Sequence, residues 1–420
     1  MLGFVRNWFS PKAAPIGIDL GTDTLRLAQC VHDGREWQLH AAACTDVPAT
    51  VRMSAESLND YLSQTIRALV AEGNFVGRDC VMSVPSASVH LQHLRLPRLE
   101  EAELKKALPW EVKDKLPIDS AHAVLRHMIA GDVQVNNEPR QEVIVMATPK
   151  SAVSQMLYVA GRARLNVMAV NVEARAIVDC FSHVYRRKAD ADITVAYIDL
   201  GCHTTRVTIA RAGRIMFARS IPIGGDTLSH AVAKSMQISF EQAKLLRIQL
   251  AAAPLQRPAP KTVEAQPTTD VDDLLSFALL GISSDRRQSV EPVNVIVPSL
   301  TPDVVEQATS VDAATAPLIQ QLCEELNLCR RYHDTTFTQS RVDRLVFIGG
   351  EARQRPMCQR IAQSLGVAAQ LGDPLVRMSK TTRIGPECGI DLTQPQPAWA
   401  VAIGLSMGPL ADESITAQSA

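Results

Sequence analysis

One short pattern occurs twice in this chain and limits its possible folds more than any other feature. Pro15–Ala28 reads PIGIDLGTDTLRLA, and Tyr197–Ala210 reads YIDLGCHTTRVTIA. In each copy an apolar run ends in Asp-Leu-Gly, a few small polar residues follow, and an alternating second strand begins. The pattern predicts a β-hairpin whose glycine permits a tight turn and leaves amide N–H groups facing outward. A single such turn is ordinary hairpin chemistry. Two copies with matched flanks, far apart in one chain, predict a duplicated lobe. Facing each other, they would form a polyphosphate cradle, with Asp19 and Asp199 beside it to hold a divalent ion through water.

At 420 residues the chain is long enough for two or more domains. A net charge of -1 argues against a nucleic-acid surface, which calls for a basic excess. Nine cysteines, an odd number with no CxxC pair, point to buried free thiols in a reducing compartment, and metal ligation by them is not expected. No uninterrupted apolar run reaches the roughly 18 residues that a membrane span needs. The opening MLGFVRNWFSPK lacks the long apolar core of a signal peptide. It reads as a tail, flexible or docked on the domain, or else as a short helix lying in a membrane interface.

Along the chain, the first hairpin is followed by a strand at 37–43, a helix at 54–71 capped by Ser54 or Ser57, and a buried strand at 79–84 closed by Pro85. Residues 86–164 change character and read as a subdomain inserted in the first lobe. They hold a strand at 89–94, a helical stretch at 99–110 interrupted by Pro109, two strands (124–129 and 142–148), and a helix crossing back over 149–164. The first lobe resumes at 165–196, and the second lobe spans 197–407. Ser239 with Gln242 forms a capping-box pattern. Stretches 252–272 and 281–298 are expected to be mobile, with a helix at 271–280 between them. A helix is expected over 314–334, a strand at 342–348 running through Gly349-Gly350, and a small-residue helix at 399–407 before a loose tail.

The paired hairpins, the IGG at 348–350 and the closing Ala402–Leu405 together resemble the two-lobed actin-like ATPase fold, with its ribonuclease H-like duplicated lobes. Three stretches are similar in particular to the PilM family, the FtsA-related actin-like ATPases of type IV pilus assembly. They are IGIDLGTDTLRLA, Ile221–Arg247, and Val342–Pro374. The stretch from Leu94, LRLPRLEEAELKKALPWEVKDKLPIDSAHAVLRHMI, resembles the inserted subdomain of that family and of FtsA.

The resemblance implies ATP and Mg²⁺ as cofactors. It places Asp19, Gly21 and Thr22 in the first phosphate motif, and Asp199, Gly201, Thr204 and Thr205 in the second. Glu173 would stand near the metal and attacking water, making Glu173 and Asp19 the catalytic pair, with Asp19 and Asp199 holding Mg²⁺ through water. Gly224, Gly225 and Asp226 would lie beside the nucleotide, Glu241 and Lys244 near ribose and adenine, and Gly349 and Gly350 in the adenosine motif. Glu173 also fits an ordinary first-turn helix carboxylate, Asp226 an N-cap, and the Glu241/Lys244 pair a solvated helix face. Cys202 and His203 are unusual beside a phosphate and favour binding with slow or no cleavage. The implied protein is a cytoplasmic assembly factor, peripheral at the inner membrane through partners. Its implied partner is the N-terminal cytoplasmic segment of a bitopic PilN-like protein, bound between the first lobe and the inserted subdomain, with a pilus ATPase or self-association as further contacts. A small-molecule kinase of the same fold and a nucleotide-free scaffold remain the alternatives.

Overall fold

The computed structural model describes residues 12–185, 188–252 and 302–408. The opening to residue 11, the two stretches expected to be mobile (beyond Ala252), the helix expected between them and the tail after 408 lie outside the described residues. In chain order the elements are β1 Lys12–Ala13, β2 Ile16–Leu20, β3 Thr24–His32, β4 Trp37–Asp46, α1 Ala55–Glu72, β5 Asp79–Ser83, β6 His90–Pro97 and α2 Glu101–Glu111. Next come β7 Ala123–Val135, β8 Glu138–Pro149, α3 Lys150–Arg162, β9 Asn166–Asn171, α4 Glu173–Ser182, β10 Thr194–Leu200, β11 Thr205–Arg211 and β12 Arg214–Ile221. The remainder are α5 Gly225–Met236, α6 Phe240–Ala252, α7 Pro302–Thr336, β13 Arg344–Ile348, α8 Arg355–Leu365, β14 Ala369–Leu371, β15 Ser379–Lys380, and a closing helix α9 at 400–408.

The duplication expected from the sequence is present in the topology. One sheet runs β4-β3-β2-β5-β9 and another β12-β11-β10-β13-β14. In both, an antiparallel meander leads into parallel strands, β2 with β5 and β10 with β13. Alternation decides the faces. Ile16 and Ile18 of β2 are fully buried with Leu62, Ile66 and Val70 of α1 and Met156 and Val159 of α3. Gly17 points the other way, where a Cβ would stand 2.0 Å from the Ala402 carbonyl oxygen of α9. Removing a side chain at Gly17 is what allows the closing helix to lie against the strand. Ser406 fastens that helix, donating to Pro15 O (2.7 Å) and accepting from Cys30 N (2.9 Å). One core, holding Ile177, Phe181, Tyr197, Val346 and Trp399, runs from the first sheet to the second.

The third sheet, β6-β8-β7, has its own small core of Leu94, Leu96, Leu104, Leu108, Val143 and Val145. That burial carries α2 through Pro109, which lies inside the helix rather than ending it. Pro109 stands in the last turn, so the missing N–H removes a single hydrogen bond. The third sheet packs against β12 and α7 through Glu142, which is wholly buried. Glu142 accepts from Tyr332 Oη (2.6 Å) and Arg95 Nε (3.1 Å) and lies 3.0 Å from His93 Nδ1, while His93 Nε2 stands 3.0 Å from Ala218 O.

Candidate functional site: two phosphate-type turns across a cleft

Both hairpins close in the same way. Asp19 pairs across the ladder with Arg26, and Asp199 with Arg206, so DLGTDTLR and DLGCHTTR are equivalent in register. A Cβ on Gly21 would meet Thr24 O at 2.6 Å, and one on Gly201 would meet Thr204 O at 2.8 Å, so each turn is as tight as only glycine allows. The second turn is joined to the start of α5: Gly225 N donates to Gly201 O (3.0 Å) and Asp226 N to Cys202 O (2.8 Å). Gly224 permits this approach, because a Cβ there would be 2.5 Å from Cys202 O.

The two turns meet. Ser86 Oγ, just after β5, is 3.5 Å from Thr204 Oγ1, and the Cys202 thiol shares its one proton between Asp23 Oδ2 at 2.8 Å and Asp226 Oδ1 at 3.0 Å. Asp23 is further held by Lys244 and Arg52. Burial opposes its charge, yet the Cys202 hydrogen bond and Lys244 outweigh that and keep the Asp23 carboxyl below the ordinary carboxylate range. Burial, with Asp226 and Asp23 as neighbours, pushes the Cys202 thiol far above its usual value, so it is a neutral donor. His203 Nδ1 lies 2.7 Å from Asp226. The ligand atoms of Cys202, His203 and Asp226 all lie within 4.8 Å of one another.

Behind the turns lie the three expected carboxylates, Asp19, Glu173 and Asp199, all buried. Arg206 fills the space between them. Its Nη1 is 2.6 Å from Glu173, and its Nη2 and Nε bond Asp199 at 2.6 and 3.0 Å. Burial raises Asp19 to about 6 against the pull of Arg26 and Arg206, and raises Glu173 to about 8 against Arg206. Crowding several acids in low dielectric makes the last negative charge costly, and Glu173 is where that cost falls. A hydrated Mg²⁺ takes six oxygens at about 2.1 Å and needs anionic oxygens turned toward it, whereas Glu173 Oε2 and Asp199 Oδ2 are turned to the Arg206 guanidinium, whose charge also acts on Asp19. The carboxylate set, as folded, therefore does not fit the metal, and Glu173 is engaged by Arg206 rather than free to act as a base.

The other expected residues divide. Gly349 adopts φ 90°, and a Cβ there would stand 2.3 Å from Asp199 Oδ1, while Gly350 is exposed and a Cβ on it would meet nothing within 4 Å. Thr22 and Thr204 are partly exposed at their turns, but Thr205 is buried and its hydroxyl donates to Ile223 O at 2.8 Å, away from the cleft. Glu241 is exposed on α6, whereas Lys244 of the same helix reaches Asp23 in the first lobe. Residues not anticipated are Arg206, Asp23, and the pair Arg247 with Glu351 (2.7 Å), packed where a Cβ on Gly225 would touch Glu351. The repeated spacing Asp-Leu-Gly-x₄-Arg was the signal for Arg206. Nothing local marks Asp23 or Arg247, whose partners are distant in sequence.

Comparison with known proteins matches residues 17–252 to the model described as type IV pilus assembly protein PilM, and residues 196–404 to that of cell division protein FtsA. Among solved structures, the PilM-PilN type IV pilus biogenesis complex is similar with a TM-score of 0.68 at 18% identity, covering 94% of this chain and 98% of that one. Ethanolamine utilization protein EutJ from Carboxydothermus hydrogenoformans is similar with a TM-score of 0.50 at 14% identity, covering 95% and 90%. The architecture is the two-lobed actin-like ATPase fold that the paired hairpins implied.

Proposed function

Because this chain belongs to the family of type IV pilus assembly protein PilM, we propose that it is a nucleotide-responsive assembly factor whose cleft binds ATP and whose first-lobe side binds the N-terminal cytoplasmic segment of a PilN-like membrane protein. The observation that carries the nucleotide half is the meeting of two register-matched turns from opposite lobes, Cys202 Sγ of the second standing 2.8 Å from Asp23 Oδ2 of the first. Turn N–H groups and the Thr22 and Thr204 hydroxyls would bind phosphates, and the exposed backbone at Gly350 would lie against the adenosine end. ATP then acts as a conformational ligand, favouring one lobe arrangement and so one partner affinity.

The partner half rests on exposed apolar side chains beside the inserted sheet. Met168 lies on edge strand β9, with Leu157 and Tyr158 on the adjoining α3, and Trp110 on α2. An edge strand flanked by apolar side chains can take an extended peptide. Among the described residues no helix is long and apolar enough to cross a membrane, and the reading places the protein at the inner membrane through its partner. The test is calorimetric titration of the full chain with a synthetic PilN-like N-terminal segment, with and without ATP. Binding that weakens in Met168→Glu and changes when ATP is added is the expected result. A peptide ignored in both conditions overturns the reading.

A further inference from the structure

We propose that Arg206 is the resident cation of the nucleotide site: its guanidinium, fixed between Glu173 and Asp199 beneath the second phosphate turn, serves bound phosphates in place of a divalent metal, so that ATP is held without Mg²⁺ and without cleavage. The proposal deepens the nucleotide reading of the cleft and rests on it.

The geometry is that of a plug. Three of the five guanidinium N–H groups are committed, one to Glu173 and two to Asp199. Both Arg206 bonds to Asp199 fall on one oxygen, Oδ2, which leaves that oxygen engaged by the guanidinium. The Arg206 side chain keeps 20% exposure, against 9% for Glu173 and 3% for Asp199, so of the three it is the least buried. Its Nη2 lies 3.4 Å from the position a Gly201 Cβ would take, directly against the turn. A phosphate seated on that turn therefore meets a planar cation rather than bare carboxylates, and arginine suits phosphate oxygens bidentately.

The same spacing places Arg26 opposite Asp19 in the first hairpin, where its charge also acts on Asp19. Each lobe thus brings its own cation to its own aspartate. Lys244 is no substitute, since it is engaged by Asp23. With Glu173 paired to Arg206 and no metal to polarise a water, the site binds and does not hydrolyse.

The test has two arms on the full chain. In the first, ATP is titrated by calorimetry in Mg²⁺ and in excess EDTA, with phosphate release followed in parallel. Affinities agreeing within about threefold, and no turnover, are expected. In the second, Mn²⁺ alone is titrated by electron paramagnetic resonance against the natural chain, Arg206→Ser, and each with Asp199→Asn. The natural chain should show no Asp199-dependent uptake, whereas Arg206→Ser should take up one Mn²⁺ that Asp199→Asn abolishes. The Asp199→Asn control separates this site from the Cys202, His203 and Asp226 cluster. Loss of ATP affinity by about tenfold or more in EDTA, Mg²⁺-dependent turnover, or Asp199-dependent Mn²⁺ uptake by the natural chain overturns the proposal. If Arg206→Ser does not fold, the natural chain's own two titrations still decide it. A chain that ignored ATP in both buffers would sink the nucleotide reading, and the claim that Arg206 excludes a metal would then stand or fall on Mn²⁺ uptake.

Discussion

Glu142 offers the sharpest energetic test of how the inserted sheet is joined to the second lobe. It is 0% exposed, and its two oxygens face His93 and Arg95 of β6 and Tyr332 of α7. Replacing Glu142 with Gln keeps the volume, removes the charge, and turns one acceptor into a donor facing other donors. Breaking one member of a buried ionic cluster costs about 3–5 kcal/mol, since the remaining partners stay desolvated. At roughly 2–4 °C per kcal/mol for a unit of some 200 residues, the melting transition should fall by about 6–20 °C. Scanning calorimetry at neutral pH measures it.

The pH dependence supplies a second, independent check. Burial alone would raise the Glu142 carboxyl, but the hydrogen bonds from His93 and Tyr332 outweigh burial and hold it below its ordinary 4.5. A depressed acid binds more protons unfolded than folded, so its contribution is complete above 4.5 and is lost as pH falls through the folded value. The gap between natural chain and variant should be flat near neutrality and close in acid. A melting shift under about 1 °C, or a gap that widens as pH falls, would refute the assignment of this cluster as the joint.

Three further outcomes follow from particular contacts. Gly17→Ala should destabilise by about 1–3 kcal/mol in urea unfolding, because the new Cβ meets α9 backbone, whereas Gly161→Ala, with nothing within 4 Å, should stabilise by about 0.5–1 kcal/mol. Cys202 should alkylate with iodoacetamide more slowly than Cys388 at mildly alkaline pH, and Asp226→Asn should speed it by relieving a neighbouring charge, read by peptide mass spectrometry. Lys244→Met should raise amide exchange in residues 201–204, because Asp23, which accepts the Cys202 thiol, loses one of the cations that hold it.

What was legible in the sequence, and what was not, divides along contact range. The hairpins, their glycines and the duplicated sheets could be read because each is a local pattern, strand alternation ending in a residue that must turn. Ser54 was readable as a cap for the same reason, and its side chain does accept from Ser57 N. Pro109 was misread because propensity was weighed without the burial of Leu104 and Leu108 that overrides it. Thr205 reads as a phosphate residue through its place in the motif, yet strand alternation turns it inward to Ile223, one residue beyond the partly exposed Thr204. The carboxylates are a subtler case. Asp19, Glu173 and Asp199 do converge as the motif implies, but convergence says nothing about what neutralises them. That depends on one strand position, seven residues after Asp199, where the same register carries either an open acid site or a filled one. A motif built from turns and aspartates therefore determines where phosphates can sit, while the cross-strand neighbour at Arg206 determines which cation meets them.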